Sequence, residues 1–256
     1  MTTVKPKAVA VYCAATFGKQ PAYRSAATSL GTAIAKAKLS LVYGGGTYGL
    51  MGLVSDAVLE GGCSVIGVIP RSISISGSEG TPKADSYATT SKRPPLKEKR
   101  SAFSSLFSNV FRTGPPGAKP RIAEPDFKAP AVQDGVPRME RIIVNSMTER
   151  KSEMAKRVDG FFGLPGGFGT IDEIVDVITW TQRNLYSKPI FLINVLSYYE
   201  PLRQIIRNGI EENFIPEINE DYVIFIDGPE AHSEHQAFDW GAAALSAFDA
   251  WEEPLF

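Results

Sequence analysis

The chain has 256 residues, 43% of them hydrophobic and 21% charged. That balance excludes collagen-like, coiled-coil and wholly disordered classes and allows a core burying roughly 70 to 75% of the unfolded surface. Its 27 Lys and Arg against 28 Asp and Glu leave a net charge of -1, which gives no general field for nucleic acid or an anionic membrane, so any anion site has to be local.

Two cysteines, Cys13 and Cys63, make neither a disulfide framework nor a zinc motif; both read as small packed side chains. The two histidines, His232 and His235, lie together near the C-terminal end, which excludes a histidine triad or a His-rich metal site in the main body. They are expected on a solvated helix.

In chain order, the apolar run Ala8 to Cys13 reads as a buried first strand. Lys5 and Lys7 before it mimic the start of a signal peptide, but the chain continues directly into helix-like sequence. No run reaches the roughly 18 apolar residues that cross a bilayer, and a cytoplasmic location is expected. Ser40 to Tyr43, Ser64 to Ile69, Arg141 to Val144, Gly160 to Leu164, Pro189 to Ile193 and Tyr222 to Ile226 follow as strands. They are rich in Val, Ile and Phe without strict alternation, as strands covered on both faces should be. Helices fall between them, with apolar stripes at Ile171, Ile174, Val175 and Ile178 and at Leu202, Ile205, Ile206 and Ile210. The predicted fold is α/β: a Rossmann-like doubly wound parallel sheet with helices on both faces, one domain over 1–256, and a ligand at the C-terminal edge of the strands.

The exception is 72–135, which holds eight of the 18 prolines, Pro82 to Pro130, and has neither helical nor strand period. It reads as an inserted, partly disordered loop. Its basic cluster of Lys92, Arg93, Lys97, Lys99 and Arg100 reads as a solvated mobile loop without a catalytic role, the alternative being attraction of an anionic partner.

Two glycine-rich turns each join a strand to a helix. The first is Gly44-Gly45-Gly46-Thr47-Tyr48-Gly49. It satisfies G-x-G-x-x-G, but it follows the second strand, and the next strand ends Ile69-Pro70-Arg71 with no carboxylate for a ribose hydroxyl, so a dinucleotide cofactor is not expected. Gly45, Gly46 and Thr47 remain candidates for anion contact through backbone N–H groups, the alternative being a tight turn with close helix packing. The second turn, Pro165-Gly166-Gly167-Phe168-Gly169-Thr170 followed by Ile171-Asp172-Glu173, forms a phosphate cradle at a helix start. Thr170 with Glu173 also fits a capping box, so Glu173 reads either as a cap or as a catalytic carboxylate. Arg150 and Lys151 sit in the first turns of a helix beginning near Met147. Cations there oppose the helix dipole, which invites a ligand, the alternative for the pair being a surface ion pair with Glu149 or Glu153.

Pro165-Gly166-Gly167-Phe168-Gly169-Thr170-Ile171-Asp172-Glu173, preceded by Met147-Thr148-Glu149-Arg150-Lys151, resembles the LOG (LONELY GUY) family of cytokinin-activating phosphoribohydrolases, whose pattern is P-G-G-x-G-T-x-x-E with an upstream M-H-x-R-K. Gly18 to Tyr23, Leu41 to Gly52, Gly61 to Pro70, Val177 to Gln182 and Pro189 to Tyr199 extend the likeness. The resemblance implies hydrolysis of the N-glycosidic bond of nucleoside 5'-monophosphates, N6-modified adenosine monophosphates and AMP among them, to free base and ribose 5-phosphate. It implies Arg150 and Glu173 as catalytic, and Gly166, Gly167, Phe168, Gly169 and Thr170 as the phosphate loop. Lys151 and Thr179 would also line the site, and Thr16 would supply a hydroxyl from the first-strand loop. It further implies no cofactor and no metal, and a homo-oligomer of two or more chains; the alternative is a non-catalytic nucleotide or phosphate-cofactor carrier of the same fold. The older label of lysine decarboxylase has no support in these motifs. Three departures stand out: Thr148 replaces the usual histidine, Ala14-Ala15-Thr16 replaces G-S-S, and the acidic base-pocket residue has no clear counterpart between Arg71 and Glu140.

Overall fold

The computed structural model describes residues 8–72 and 139–252; the insert, with its basic cluster, lies outside them apart from Ser72. The strands are β1 Ala8–Tyr12, β2 Ser40–Tyr43, β3 Val65–Pro70, β4 Met139–Val144, β5 Gly160–Gly163, β6 Ile190–Ile193 and β7 Val223–Ile226, all within two residues of the expected bounds. The helices are α1 Pro21–Lys36, α2 Gly49–Glu60, α3 Met147–Lys156, α4 Phe168–Gln182, α5 Glu200–Glu211 and α6 Trp240–Ala250. The sheet runs β4-β3-β2-β1-β5-β6-β7, and every pairing is parallel. The doubly wound architecture is the expected one.

Five strands, β1, β2, β3, β5 and β6, are buried throughout, which is why their sequences run apolar without alternation. The edge strand β4 is largely exposed. Alternation along β1 nevertheless divides the core in two. Val9, Val11 and Cys13 pack with Leu30 and Ile34 of α1, Val54 of α2 and Trp240 of α6. Ala8, Ala10 and Tyr12 face Met154 of α3, Ile174 and Val177 of α4 and Ile206 of α5.

The placement of β1 makes the site. It pairs with β2 on one side and β5 on the other, while α1, which follows β1, and α4, which follows β5, cover opposite faces. The two outgoing loops therefore part at the carboxyl ends of these strands and leave a crevice, the topological switch point of such sheets.

Two expected helix faces are corrected. On α4 the buried positions are Thr170, Glu173, Ile174, Val177 and Thr181, while Val175 is exposed: the helix turns polar residues toward the crevice and rotates part of its apolar stripe outward. On α5 only Ile206 is buried, and Ile205 is largely exposed. The histidines are corrected too. They lie in and just after the short 3-10 turn His232–Glu234, and His235 is buried and hydrogen-bonded on both ring nitrogens.

Candidate active site

The loop after β1 is tied to the loop after β5 by the Ala14 N–H, which donates to the Pro165 carbonyl at 3.2 Å. It is tied to α2 by the amides of Leu50 and Met51, which donate to Thr16 and Ala14 carbonyls at 3.2 and 3.3 Å. Gly49 permits this approach: its φ is +69°, and a Cβ there would lie 2.4 Å from the Thr16 nitrogen. The first amides of α2 are thus used internally, and the packing alternative describes this turn. Gly45 lies against Ile69 and Gly46 against Met51; neither they nor Thr47 line the cleft.

At the second turn Gly167 is the N-cap of α4 and no side chain caps the helix. Thr170 is the third helical residue and Glu173 the sixth, so the expected capping box does not form. That role is filled on α3, where Ser146 accepts from the Glu149 N–H at 3.0 Å and the Glu149 carboxylate accepts from the Asn145 N–H at 2.7 Å. Among the described residues the amides of Gly167, Phe168, Gly169 and Thr170 have no acceptor. A Cβ on Gly167 or Gly169 would meet nothing within 4 Å, so packing does not require glycine there. Four donors left unused at a helix N-terminus are groups that can hold an anion. The Phe168 side chain is 96% exposed at the rim.

These elements enclose a cleft of about 340 Å³ whose lining includes Thr16, Gly44, Arg150, Gly167, Thr170 and Glu173. Gly169 lines it as well, whereas Gly166 lines an adjoining pocket of about 220 Å³ that shares Thr16 and Gly167. Arg150 reaches in from α3. Its Nη2 lies 3.1 Å from Glu173 Oε1, yet Oε1 has no hydrogen bond, so the two charges touch without hydrogen-bond alignment. Arg150 Nε is likewise buried without a partner. Arg150 pairs with neither Glu149 nor Glu153; Glu153 is bound to Arg157.

Burial pushes the Glu173 carboxyl above its ordinary value; Arg150 and Lys151 oppose that shift without cancelling it. Beside it, burial and then the Glu173 charge push the Cys13 thiol far up, so it stays protonated and is no nucleophile. The Tyr12 hydroxyl, buried without a hydrogen bond, is shifted up by the same two causes in the same order. Lys151 does not line the cleft. Its ammonium sits between Asp172, at 2.9 Å, and Asp176, both on α4. Burial pulls it down, and the hydrogen bonds and charges of the two aspartates outweigh that, for a net rise. Thr179 donates to the Val175 carbonyl at 2.8 Å and lies outside the lining.

Sequence reasoning missed Gly44, Met51 and Met147 as lining residues, along with Val11, Cys13, Ala14 and Ala15 from the end of β1 and its loop. For Gly44 a signal existed, since it opens the first glycine turn, but its reason is tertiary: a Cβ there would lie 2.0 Å from Arg150 Nη2.

The sequence matches the family described as "Possible lysine decarboxylase" over residues 51–235 and the SLOG cluster4 family over residues 7–84. It is 34% identical over 225 residues to the "Probable cytokinin riboside 5'-monophosphate phosphoribohydrolase LOGL9" of Oryza sativa subsp. japonica, covering 88% of this chain and 74% of the relative. It is also 34% identical over 211 residues to a cytokinin riboside 5'-monophosphate phosphoribohydrolase of Arabidopsis thaliana, covering 82% of this chain and 73% of that one. Among solved structures, the molybdenum cofactor carrier protein of Chlamydomonas reinhardtii aligns with a TM-score of 0.51 at 14% identity, covering 94% of this chain and 96% of that chain, a likeness of fold alone. With its motifs, its parallel sheet and these relatives, the chain belongs to the LOG family of phosphoribohydrolases.

Proposed function

We propose that this chain hydrolyses the N-glycosidic bond of nucleoside 5'-monophosphates, N6-modified adenosine monophosphates and AMP, releasing the base and ribose 5-phosphate. The observation that carries the reading is Glu173: a carboxylate 6% exposed, with an oxygen lacking a hydrogen bond, one helical turn beyond four unused amides. A cap would be hydrogen-bonded; this carboxylate is held ready for something else.

Loss of a base from ribose passes through an oxocarbenium-like state, and a carboxylate beside the anomeric carbon stabilises the positive charge and orients water. Thr170 and Glu173 are three residues apart, about 4.5 Å along the helix axis, comparable to the reach of a pentose from its 5'-phosphate to C1'. A phosphate on the amides of Gly167 to Thr170, with Thr16 across the cleft, would hold C1' near Glu173. General-base action supplies about 10²- to 10⁴-fold, near 3 to 5 kcal/mol, against the roughly 8 kcal/mol or more of enzymatic accelerations. Anchoring of the phosphate supplies the rest as positioning. Arg150 orients Glu173 and offers its remaining donors to the sugar.

The names of the relatives support the enzymatic reading; the carrier reading rests on fold likeness alone. We place the enzyme in the cytoplasm and propose that it acts as a homo-oligomer. Supporting the latter, Phe168 and Val175 on one side of α4 are exposed apolar side chains. The test is product analysis with AMP, N6-isopentenyl-AMP, GMP and CMP: adenine-type base and ribose 5-phosphate are expected from the first two, and nucleotide binding without any turnover would establish the carrier instead.

A further inference from the structure

We propose that Tyr198 is a positioning residue for the phosphate turn: its hydroxyl holds the Gly166 carbonyl, so that the Gly167 N–H of the same peptide faces the cleft. The inference rests on the reading of that turn as the phosphate site.

Three successive carbonyls of the turn are each held by a different donor. Leu164 accepts from the Tyr199 hydroxyl at 2.6 Å, Pro165 from the Ala14 N–H at 3.2 Å, and Gly166 from the Tyr198 hydroxyl. In a planar trans peptide the carbonyl and the following N–H point in opposite directions. A carbonyl held on one side therefore aims its amide to the other. The third peptide is the one that needs holding, because it joins two glycines, Gly166 and Gly167, whose permissive backbones would otherwise let it rotate. Its amide belongs to Gly167, which lines the cleft. The first peptide is different: it leads into Pro165, which has no N–H to aim.

The tyrosines are themselves delivered by a turn under strain. Leu196 and Ser197 are consecutive non-glycine residues in the left-handed region, at φ 54° and 57°, a conformation that persists only where neighbours enforce it. Here the histidine pair does so. The Leu196 N–H donates to His235 Nδ1 at 2.9 Å, which leaves the ring proton on Nε2, 2.7 Å from the Pro229 carbonyl. Ser197 Oγ lies 3.0 Å from His232 Nε2, and the Tyr199 N–H donates to Asn194 Oδ1 at 2.7 Å. The Tyr198 ring is set edge-on against Tyr23 and Tyr199. The C-terminal histidines thus buttress the turn that carries Tyr198.

The test compares wild type, Tyr198→Phe and Tyr199→Phe in the full chain, titrated with ribose 5-phosphate by calorimetry. Loss of one hydrogen bond in Tyr198→Phe is expected to weaken ribose 5-phosphate about fivefold to tenfold and to lower kcat/KM for AMP by a similar factor. Turnover of adenosine, which has no phosphate to place, should be equally low in wild type and in Tyr198→Phe. Tyr199→Phe should lower the thermal midpoint while leaving ribose 5-phosphate affinity within about twofold of wild type. If wild type binds ribose 5-phosphate and Tyr198→Phe binds it equally well, or if both variants weaken it alike, the positioning role is overturned while the phosphate reading stands. If wild type itself fails to bind ribose 5-phosphate, that reading falls and this inference with it.

Discussion

Arg150 Nη2 and Glu173 Oε1 stand 3.1 Å apart, yet Glu173 Oε1 and Arg150 Nε are both buried without a hydrogen bond. Desolvated charged groups with unused hydrogen-bonding capacity are costly. They become favourable when a water or a sugar hydroxyl completes the set, and that is the role assigned to them.

Glu173→Gln keeps the shape of the side chain and removes its charge. Turnover of AMP is expected to fall by at least about 10²-fold with ribose 5-phosphate binding retained. Steady-state release of adenine and calorimetry on the same preparation check both halves. Wild-type turnover in this variant would remove Glu173 from the chemistry.

The acid limb of the pH profile should betray the raised carboxyl. The proposed mechanism needs Glu173 ionised, and burial holds its value above the ordinary one against the pull of Arg150 and Lys151. kcat/KM should therefore begin to fall at a pH above that at which a free glutamate, near 4.3, protonates. Linkage gives a second reading of the same group. A value raised on folding contributes stability below the unfolded value and loses it as pH rises through the folded one. The thermal midpoint of wild type minus that of Glu173→Gln should thus be larger near pH 4 than near pH 8; a pH-independent difference would count against a raised value.

Gly44→Ala tests the seating of Arg150. The added methyl would lie 2.0 Å from Nη2, so the guanidinium has to leave its place beside Glu173. A displacement of about 1 Å costs on the order of 10²-fold in rate, and that loss is expected in kcat/KM with the folded state retained by circular dichroism. Undiminished activity would show that the observed Arg150 placement is dispensable.

Lys151→Met separates a strut from a phosphate ligand. The ammonium bridges Asp172 and Asp176 and ties α3 to α4, so its loss should cost about 1 to 2 kcal/mol of stability and leave ribose 5-phosphate affinity within about twofold of wild type. The net rise of its value means this stabilisation is present below the ordinary lysine range and fades only above it, so the stability gap should persist through about pH 9. Loss of phosphate affinity with unchanged stability would reverse the assignment.

The strands and the two glycine turns could be read directly because a strand buried on both faces must be apolar and a tight strand-to-helix turn favours glycine. The division of labour between the turns could not. Both show the same residues in the same local context, but the amides of α2 are consumed by Ala14 and Thr16, far away in sequence, while those of α4 are not. The capping box failed for a related reason: Thr170 and Glu173 have the right spacing, yet the helix starts at Phe168, too early for Thr170 to be its cap. His235 looked like a surface residue because nothing nearby in sequence predicts its contact with Leu196.

What the sequence determined by itself is whatever depends on near neighbours along the chain: the seven strands, the helices between them and the motif whose family resemblance nominates Arg150 and Glu173. Only the tertiary structure decided which amides remain unused, which cation faces the cleft and which props its wall, and how Tyr198 comes to hold the turn. Those outcomes depend on the parallel order of the sheet, which brings the ends of β1 and β5 together from positions some 150 residues apart, and no local pattern carries that information.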